Sequence, residues 1–216
     1  KDSTFQGGVS SLLNKYNIKK RLVSCHEFNE EKVKDYVVSE LKKGLNIGLV
    51  TDQGTPIISD PGYVIVNYVV SNGFNVISLP GATAFVPALT CSGISPSPFL
   101  FYGFLNAKSS KQKRELQALK TLKYTMIFYE APHRLSDTLG NMLEVFGDRY
   151  ISISREISKI HEEIYRNKIS ELIKISDTLK GEFVLIVEGN HDNVDYSELS
   201  IQEHIKLYLD DGLSEK

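Results

Sequence analysis

Four stretches of this sequence carry residue types suited to binding or catalysis at points where the chain changes direction. The first is Thr51-Asp52-Gln53-Gly54-Thr55-Pro56-Ile57-Ile58-Ser59-Asp60-Pro61-Gly62, directly after the apolar run 46–50. A turn at the carboxyl end of a strand is where open α/β sheets take their ligands. Gly54 lets backbone approach a ligand closely, and Pro56 stiffens the turn and removes a donor. Such a loop suits a neutral, adenosine-like molecule held by main-chain contacts, although an ordinary strand-to-helix connection gives the same pattern. A second turn, Pro80-Gly81-Ala82-Thr83-Ala84, follows the apolar run 75–79. Two such turns at one sheet edge would form one wall of a crevice.

The third stretch runs from Tyr129 into Glu130-Ala131-Pro132-His133-Arg134. Glu130 or His133 can accept a proton from a hydroxyl, and Arg134 can fix a phosphate in bidentate fashion. An ion pair between Glu130 and Arg134 that merely braces a helix start is the competing account. The fourth, Ser154-Arg155-Glu156-Ile157-Ser158-Lys159, ends another strand with a charged trio, of which Arg155 and Glu156 also fit a structural rather than a catalytic role. Beside these lies a basic segment in which Lys108, Lys111, Lys113, Arg114, Lys120 and Lys123 face only Glu115. It can meet nucleic-acid phosphates, or be a solvated charged face, the commoner fate of such runs. His26, His161, His191 and His204 have no partners at ligand spacing and read as surface or core residues.

The elements that must position these groups follow from periodicity. Short β-branched and aromatic runs predict strands at 22–25, 46–50, 75–79, 99–102, 125–129, 150–155, 162–166 and 183–188. Helices are predicted at 8–16, 30–43, 62–71, 84–92, 111–122, 133–146, 169–180 and 197–209. Asp60 with Pro61, and Pro132, suit helix starts, and Ser109 with Gln112 reads as a capping box. The alternation predicts an α/β fold of two lobes with mainly parallel or mixed sheets. The division falls at 1–95 and 96–190, because Gly93, Pro96 and Pro98 interrupt regular structure, with an acidic helical tail at 191–216.

The 216 residues carry a formal net charge of −2, which argues against a uniformly basic nucleic-acid-binding surface. Two cysteines, Cys25 and Cys91, form no disulfide framework, and no Cys/His cluster has zinc spacing, so a reducing cytosol is the simplest home. No apolar run approaches the roughly 20 residues of a membrane helix. The chain opens on Lys1-Asp2-Ser3-Thr4 without a methionine or a preceding strand, so an N-terminal piece is expected to be missing.

Together the strings resemble the tetrapyrrole methylase superfamily, and within it the members that methylate a cytidine ribose 2′-oxygen in the decoding region of small-subunit ribosomal RNA. The resemblance runs through residues 51–62, 79–84, 102–108, 128–134, 155–159 and 181–189, in the family's order. Its specific part is the pairing of the first turn with Tyr129–Arg134. The corrin and siroheme methylases have Gly-Asp-Pro where this chain has Gly54-Thr55-Pro56, and they lack the second string. The resemblance implies S-adenosylmethionine (AdoMet) in a cleft between the lobes. Its contacts would be Asp52, Gln53, Gly54, Thr55, Pro56, Ile58, Thr83, Ala84 and Tyr129, with Glu130 lining it from the second lobe. Glu130 and His133 are the catalytic candidates; Lys108, Lys111, Lys113, Arg114, Arg134, Arg155 and Lys159 are the RNA candidates, with no metal required. A homodimer acting on a small-subunit particle is implied too. The family's opening strand and Pro-rich loop have no counterpart here, and Asp2-Ser3-Thr4 lacks the arginine of a family Asp-Thr-Arg. Two alternatives remain: a methylase of a small tetrapyrrole, and an AdoMet- or RNA-binding module without catalysis.

Overall fold

The computed structural model describes residues 5–191, 200–202 and 205. His204, most of the expected helix 197–209 and most of the acidic tail lie outside them. The first ninety residues form helices α1 (Phe5–Lys15), α2 (Glu30–Lys42), α3 (Tyr63–Ser71) and α4 (Phe85–Cys91). Acidic Glu30 and Glu31 open α2 and Lys42 closes it, charges that complement the helix dipole. Val37 and Val38 of α2 are buried against Ile65 and Val69 of α3. Glu30 is buried as well, and its carboxylate accepts the Val64 N–H at 3.0 Å. The side chain that starts one helix thus satisfies an otherwise orphaned amide in the first turn of the next.

Two expectations fail here for stated reasons. Asp60 and Pro61 do not open α3, which begins only after Gly62. Gly62 holds φ +131°, and a Cβ there would meet Leu49 at 2.8 Å, so the chain must turn before it can coil. The runs 22–25, 46–50 and 75–79 do not form strands. Leu22, Val23, Ile47, Val50, Val76, Ile77 and Leu79 are exposed, with no ladder partner among the described residues. A helix satisfies its own backbone, whereas an apolar run becomes a strand only when a neighbour supplies the other half of each hydrogen bond.

From residue 99 onward the strands do pair. β1 (Phe99–Phe104), β2 (Thr125–Glu130), β3 (Tyr150–Arg155), β4 (Glu163–Lys168) and β5 (Phe183–Val187) form one sheet in the order β1-β2-β5-β3-β4. β1 and β2 are parallel and every other pairing is antiparallel, so the sheet is mixed. β5 is buried throughout and shows the alternation of a two-faced strand. Its Phe183, Leu185 and Val187 meet the cluster built by α5 (Ser109–Leu119), α6 (Leu135–Phe146) and α7 (Ile169–Ser176). Val184 and Ile186 face the other way, onto Ala88 and Leu89 of α4. The carboxyl ends of β1, β2 and β3 reach the same sheet edge, because Glu130 and Arg155 both pair with Phe183 while Phe104 pairs with Tyr129.

Pro132 does sit at the start of a 3₁₀ turn, Pro132–Arg134, that leads into α6. The capping box does not form: Lys108 occupies the cap position, Ser109 is already helical, and Gln112 is buried with its amide turned to Thr138. Once buried, an amide goes to the partner that offsets its lost hydration.

Leu185 is completely buried, so Leu185→Ala is expected to cost about 2–5 kcal/mol in urea unfolding. Exposed Val70→Ala should stay within about 0.5 kcal/mol under the same conditions.

Candidate functional site

The two N-terminal turns meet. The Thr55 hydroxyl donates to the Ala82 carbonyl at 3.0 Å, and a Cβ on Gly54 would find only that same oxygen, at 4.0 Å. Gly54 itself is at φ +69°, and Ile57 and Ser59 hold positive φ without being glycine. Strain of this kind survives only where surrounding structure enforces it, and it gathers at ligand sites. Asp52 lies against α1, since a Cβ on Gly8 would strike its carboxylate oxygen at 2.6 Å. Ile58 is exposed on the rim.

Tyr129 carries this wall onto the sheet edge. Its hydroxyl meets the Thr83 side chain and the Phe85 amide, while burial, with Asp60 nearby, pushes the phenol's pKa up. Asp60 is raised too, by burial, against the Thr51 hydroxyl that favours its charged form. Ser59 reaches the end of β1, its Oγ lying 3.0 Å from where a Cβ of Gly103 would be. The 52–59 turn, the 82–85 turn, Tyr129 and the end of β1 thus meet, and the surface they share is the candidate crevice.

Glu130 lies behind this surface. It is 2% exposed, and its carboxylate accepts from the Ala131 N–H at 2.8 Å, the Thr138 hydroxyl at 2.6 Å and Arg134 Nε at 3.2 Å. Arg134 also donates to the carbonyls of Leu105 at 2.7 Å and Asn106 at 3.3 Å. Thr138 accepts from Gln112, which accepts from Asn141, which accepts from Ser109. This geometry supports the bracing account of the Glu130–Arg134 pair. A carboxylate with three donors and no solvent is poorly placed to take a substrate proton, and a guanidinium already shared among a carboxylate and two carbonyls has little left for a phosphate. His133 remains exposed on the 3₁₀ turn.

The charged turn after β3 is also internally paired. Arg155 bonds Glu163 at 2.5 Å and the Lys180 carbonyl. Lys159 bridges Glu182 at 2.8 Å and Glu156 at 3.1 Å. The Glu156 carboxylate takes the Glu182 N–H at 2.8 Å, and its backbone N–H donates to the Glu182 carbonyl at 3.0 Å. Gly181 is required beneath it, since a Cβ there would meet Glu156 at 2.6 Å. The Gln53 amide faces the Glu182 carboxylate, with its nitrogen 3.0 and 3.2 Å from the two oxygens. Gln53 and Lys159 therefore share one carboxylate across the crevice. Sequence reasoning missed Glu182 and the strained Ser59; positive φ at ordinary residues leaves no mark in composition.

Of the basic segment, Lys108, Lys111, Arg114, Lys120 and Lys123 are exposed. Lys113 pairs with Glu144 at 2.5 Å, and Glu115 is occupied by the Asn106 N–H. Two hollows lie away from the crevice: one of about 540 Å³ at the end of α1, lined by Leu13, Asn14 and Arg21, and one of about 110 Å³ beside Pro98 and Gly189. Neither gathers the strained turns and convergent polar groups that mark the crevice.

Thr138→Val is expected to cost about 1–3 kcal/mol in chemical unfolding, because it strands a buried carboxylate oxygen and the Gln112 amide together. Glu156 is held below the ordinary glutamate range, first by the Glu182 N–H and then by Lys159. A depressed folded-state pKa gives stability that is complete above the unfolded value of about 4.3 and is lost as pH falls through the folded value. Melting temperature should fall through that acid window in the native chain and less steeply in Glu156→Gln.

A family model for tetrapyrrole (corrin/porphyrin) methylases matches residues 5–173. Ribosomal RNA small subunit methyltransferase I of Bacillus subtilis (strain 168) is 47% identical, over 96% of this chain and 74% of its own. The protein of the same name from Halalkalibacterium halodurans is 42% identical over the same shares. Uroporphyrin-III C-methyl transferase from Thermus thermophilus, solved with S-adenyl homocysteine, superposes with TM-score 0.55 at 14% identity, over 79% of this chain and 78% of that one, a likeness of fold. The mixed sheet, the paired N-terminal turns and these matches agree: the chain belongs to the tetrapyrrole (corrin/porphyrin) methylase family, and within it groups with the proteins named ribosomal RNA small subunit methyltransferase I.

Proposed function

We propose that this chain transfers a methyl group from AdoMet to a ribose 2′-hydroxyl, that of a cytidine in the decoding region of small-subunit rRNA. The observation that carries the reading is the junction at which Thr55 ties the two turns together and Tyr129 joins them through Thr83. The relatives' names supply the rRNA, and the resemblance supplies the ribose and the cytidine. The residues fit the cofactor. Gly54 leaves open space over the backbone, Ile58 offers apolar surface, and Gln53 faces a carboxylate that can orient polar groups. Asp52, Pro56 and Ala84 complete that wall. The same reading takes the chain as a homodimer and as two lobes divided near residue 95.

When bound, AdoMet supplies an electrophilic methyl on a sulfonium sulfur. The chain's own work is to hold a hydroxyl oxygen in line with that methyl and to receive its proton as the new O–C bond forms and the C–S bond breaks. Alignment of this kind can remove several kcal/mol, on the order of half the roughly 7–11 kcal/mol reached by the best intramolecular reactions. In this reading His133, exposed on the 3₁₀ turn that follows β2, takes the proton, and Glu130 holds that turn in position. Exposed Lys108, Lys111 and Arg114 bind phosphates flanking the target; Lys113, Arg134, Arg155 and Lys159, each paired with a carboxylate, serve mainly to brace the fold around it. The exposed basic face also favours an RNA over a small tetrapyrrole.

Methyl transfer to small-subunit particles from cells lacking the enzyme tests this. His133→Ala should lower kcat by about 10²- to 10⁴-fold at unchanged AdoMet affinity, and a near-normal rate would remove His133 from the chemistry. Neutralising Lys111 and Arg114 together should flatten the salt dependence of particle binding by roughly one to two units of log–log slope. An unchanged slope would return α5 to a solvated face.

A further inference from the structure

We propose that Phe104 is the stacking surface for the target nucleobase. The assignment rests on the rRNA reading above and on how β1 ends. Phe101 pairs with Ile127, but the next partners are Gly103 with Phe128 and Phe104 with Tyr129, so one extra residue is inserted on β1. In a regular strand Tyr102 and Phe104 would share a face, and Tyr102 does lie on the helix-covered face, 5.6 Å from Phe128. The bulge turns Phe104 to the opposite face. There its ring meets Tyr129 at 5.6 Å and 62°, beside Phe101, which meets the same ring at 5.1 Å and 73°. The bulge depends on Gly103 at φ +82°, a position closed to larger residues because Ser59 Oγ lies 3.0 Å from where a Cβ would be. Bulges of this kind re-aim side chains beside active sites.

What the bulge delivers is a phenylalanine left 51% exposed at the crevice mouth. Its burial is forfeited, yet its position is fixed. Tyr129 beneath it is held at its hydroxyl by Thr83 and Phe85, and the chain beyond it is latched by Arg134 at Leu105 and Asn106. Two residues past that latch stands exposed Lys108. A rigid aromatic face with a cation nearby that has no ion-pair partner among the described residues matches a nucleotide turned out of its stack, the base on the ring and a flanking phosphate on the lysine. The proposed cofactor wall meets Tyr129 at its hydroxyl, through Thr83, whereas Phe104 meets its ring.

Methyl transfer to undermethylated small-subunit particles, with AdoMet affinity measured separately by calorimetry, decides the matter. Phe104→Ala and Phe104→Leu should each lower kcat/KM for the particle by on the order of ten- to a hundredfold, chiefly through KM, with AdoMet affinity within about twofold. Phe104→Trp should restore most of the loss, since stacking needs a ring, while leucine keeps only apolar bulk. A parallel loss of AdoMet affinity would assign the ring to the cofactor and overturn the proposal, as would unchanged kcat/KM in the alanine variant or full activity with leucine. Inactivity of the native chain on the particle would overturn the function and this assignment together, whereas an active native chain with an indifferent Phe104→Ala would overturn the assignment alone.

Discussion

A glutamate carboxylate taken out of water must be surrounded by donors, and at Glu130 that requirement reaches into four parts of the molecule. The Ala131 N–H comes from the turn that follows β2, the Thr138 hydroxyl from α6, and the guanidinium from Arg134, whose other nitrogen holds the carbonyls after β1. Thr138 in turn receives Gln112 of α5, and the donor chain continues through Asn141 to Ser109 at the start of that helix. Every hydrogen bond in the chain points the same way, toward the one charge at its end. Removing any member leaves a buried group unpaired, which costs far more than the bond itself contributed. Strand end, crevice loop and basic helix are thus kept in fixed relation by the cost of separating them.

The far side of the crevice obeys the same logic with more water present. Glu182 and Glu156 exchange backbone and carboxylate bonds, Lys159 neutralises both, and Gln53 reaches over from the first turn. Positive φ at Ile57 and Ser59 on one side, and at Glu156 and Ser158 on the other, shows both rims held in unfavourable conformations. Tertiary bonds stabilise that strain, and the strain sets where Gly54, Thr55 and Ser59 stand. Much of the charge near the site therefore serves shape. Among the described residues, exposed His133, Lys108, Lys111 and Arg114 take no part in these ion pairs.

The sequence was most legible where structure is local. α2, α6 and β3 fall within a residue or two of their predicted bounds, because helical periodicity acts over a few positions and a two-faced strand alternates along its own length. It was misleading where a local signal needed a distant partner. Runs 22–25, 46–50 and 75–79 have strand composition and no ladder, and Ser109–Gln112 has the spacing of a capping box while Gln112 is claimed by Thr138.

By itself, then, the sequence determined which residues bend the chain and which can do chemistry: Gly54 and Pro56 in one turn, Thr83 in another, and Glu130, His133 and Arg134 in a third. Tertiary structure alone decided their division of labour. Thr55 meets Ala82 across 27 positions, Arg134 meets Leu105 across 29, and Gln53 meets Glu182 across a longer span still. No periodicity encodes contacts at such separations, because they arise only when the folded chain brings distant turns together. The fold of the 3₁₀ turn and α6 back onto the end of β2 gave Glu130 three donors and made it a brace, and a single extra residue in β1 brought Phe104 out beside Tyr129.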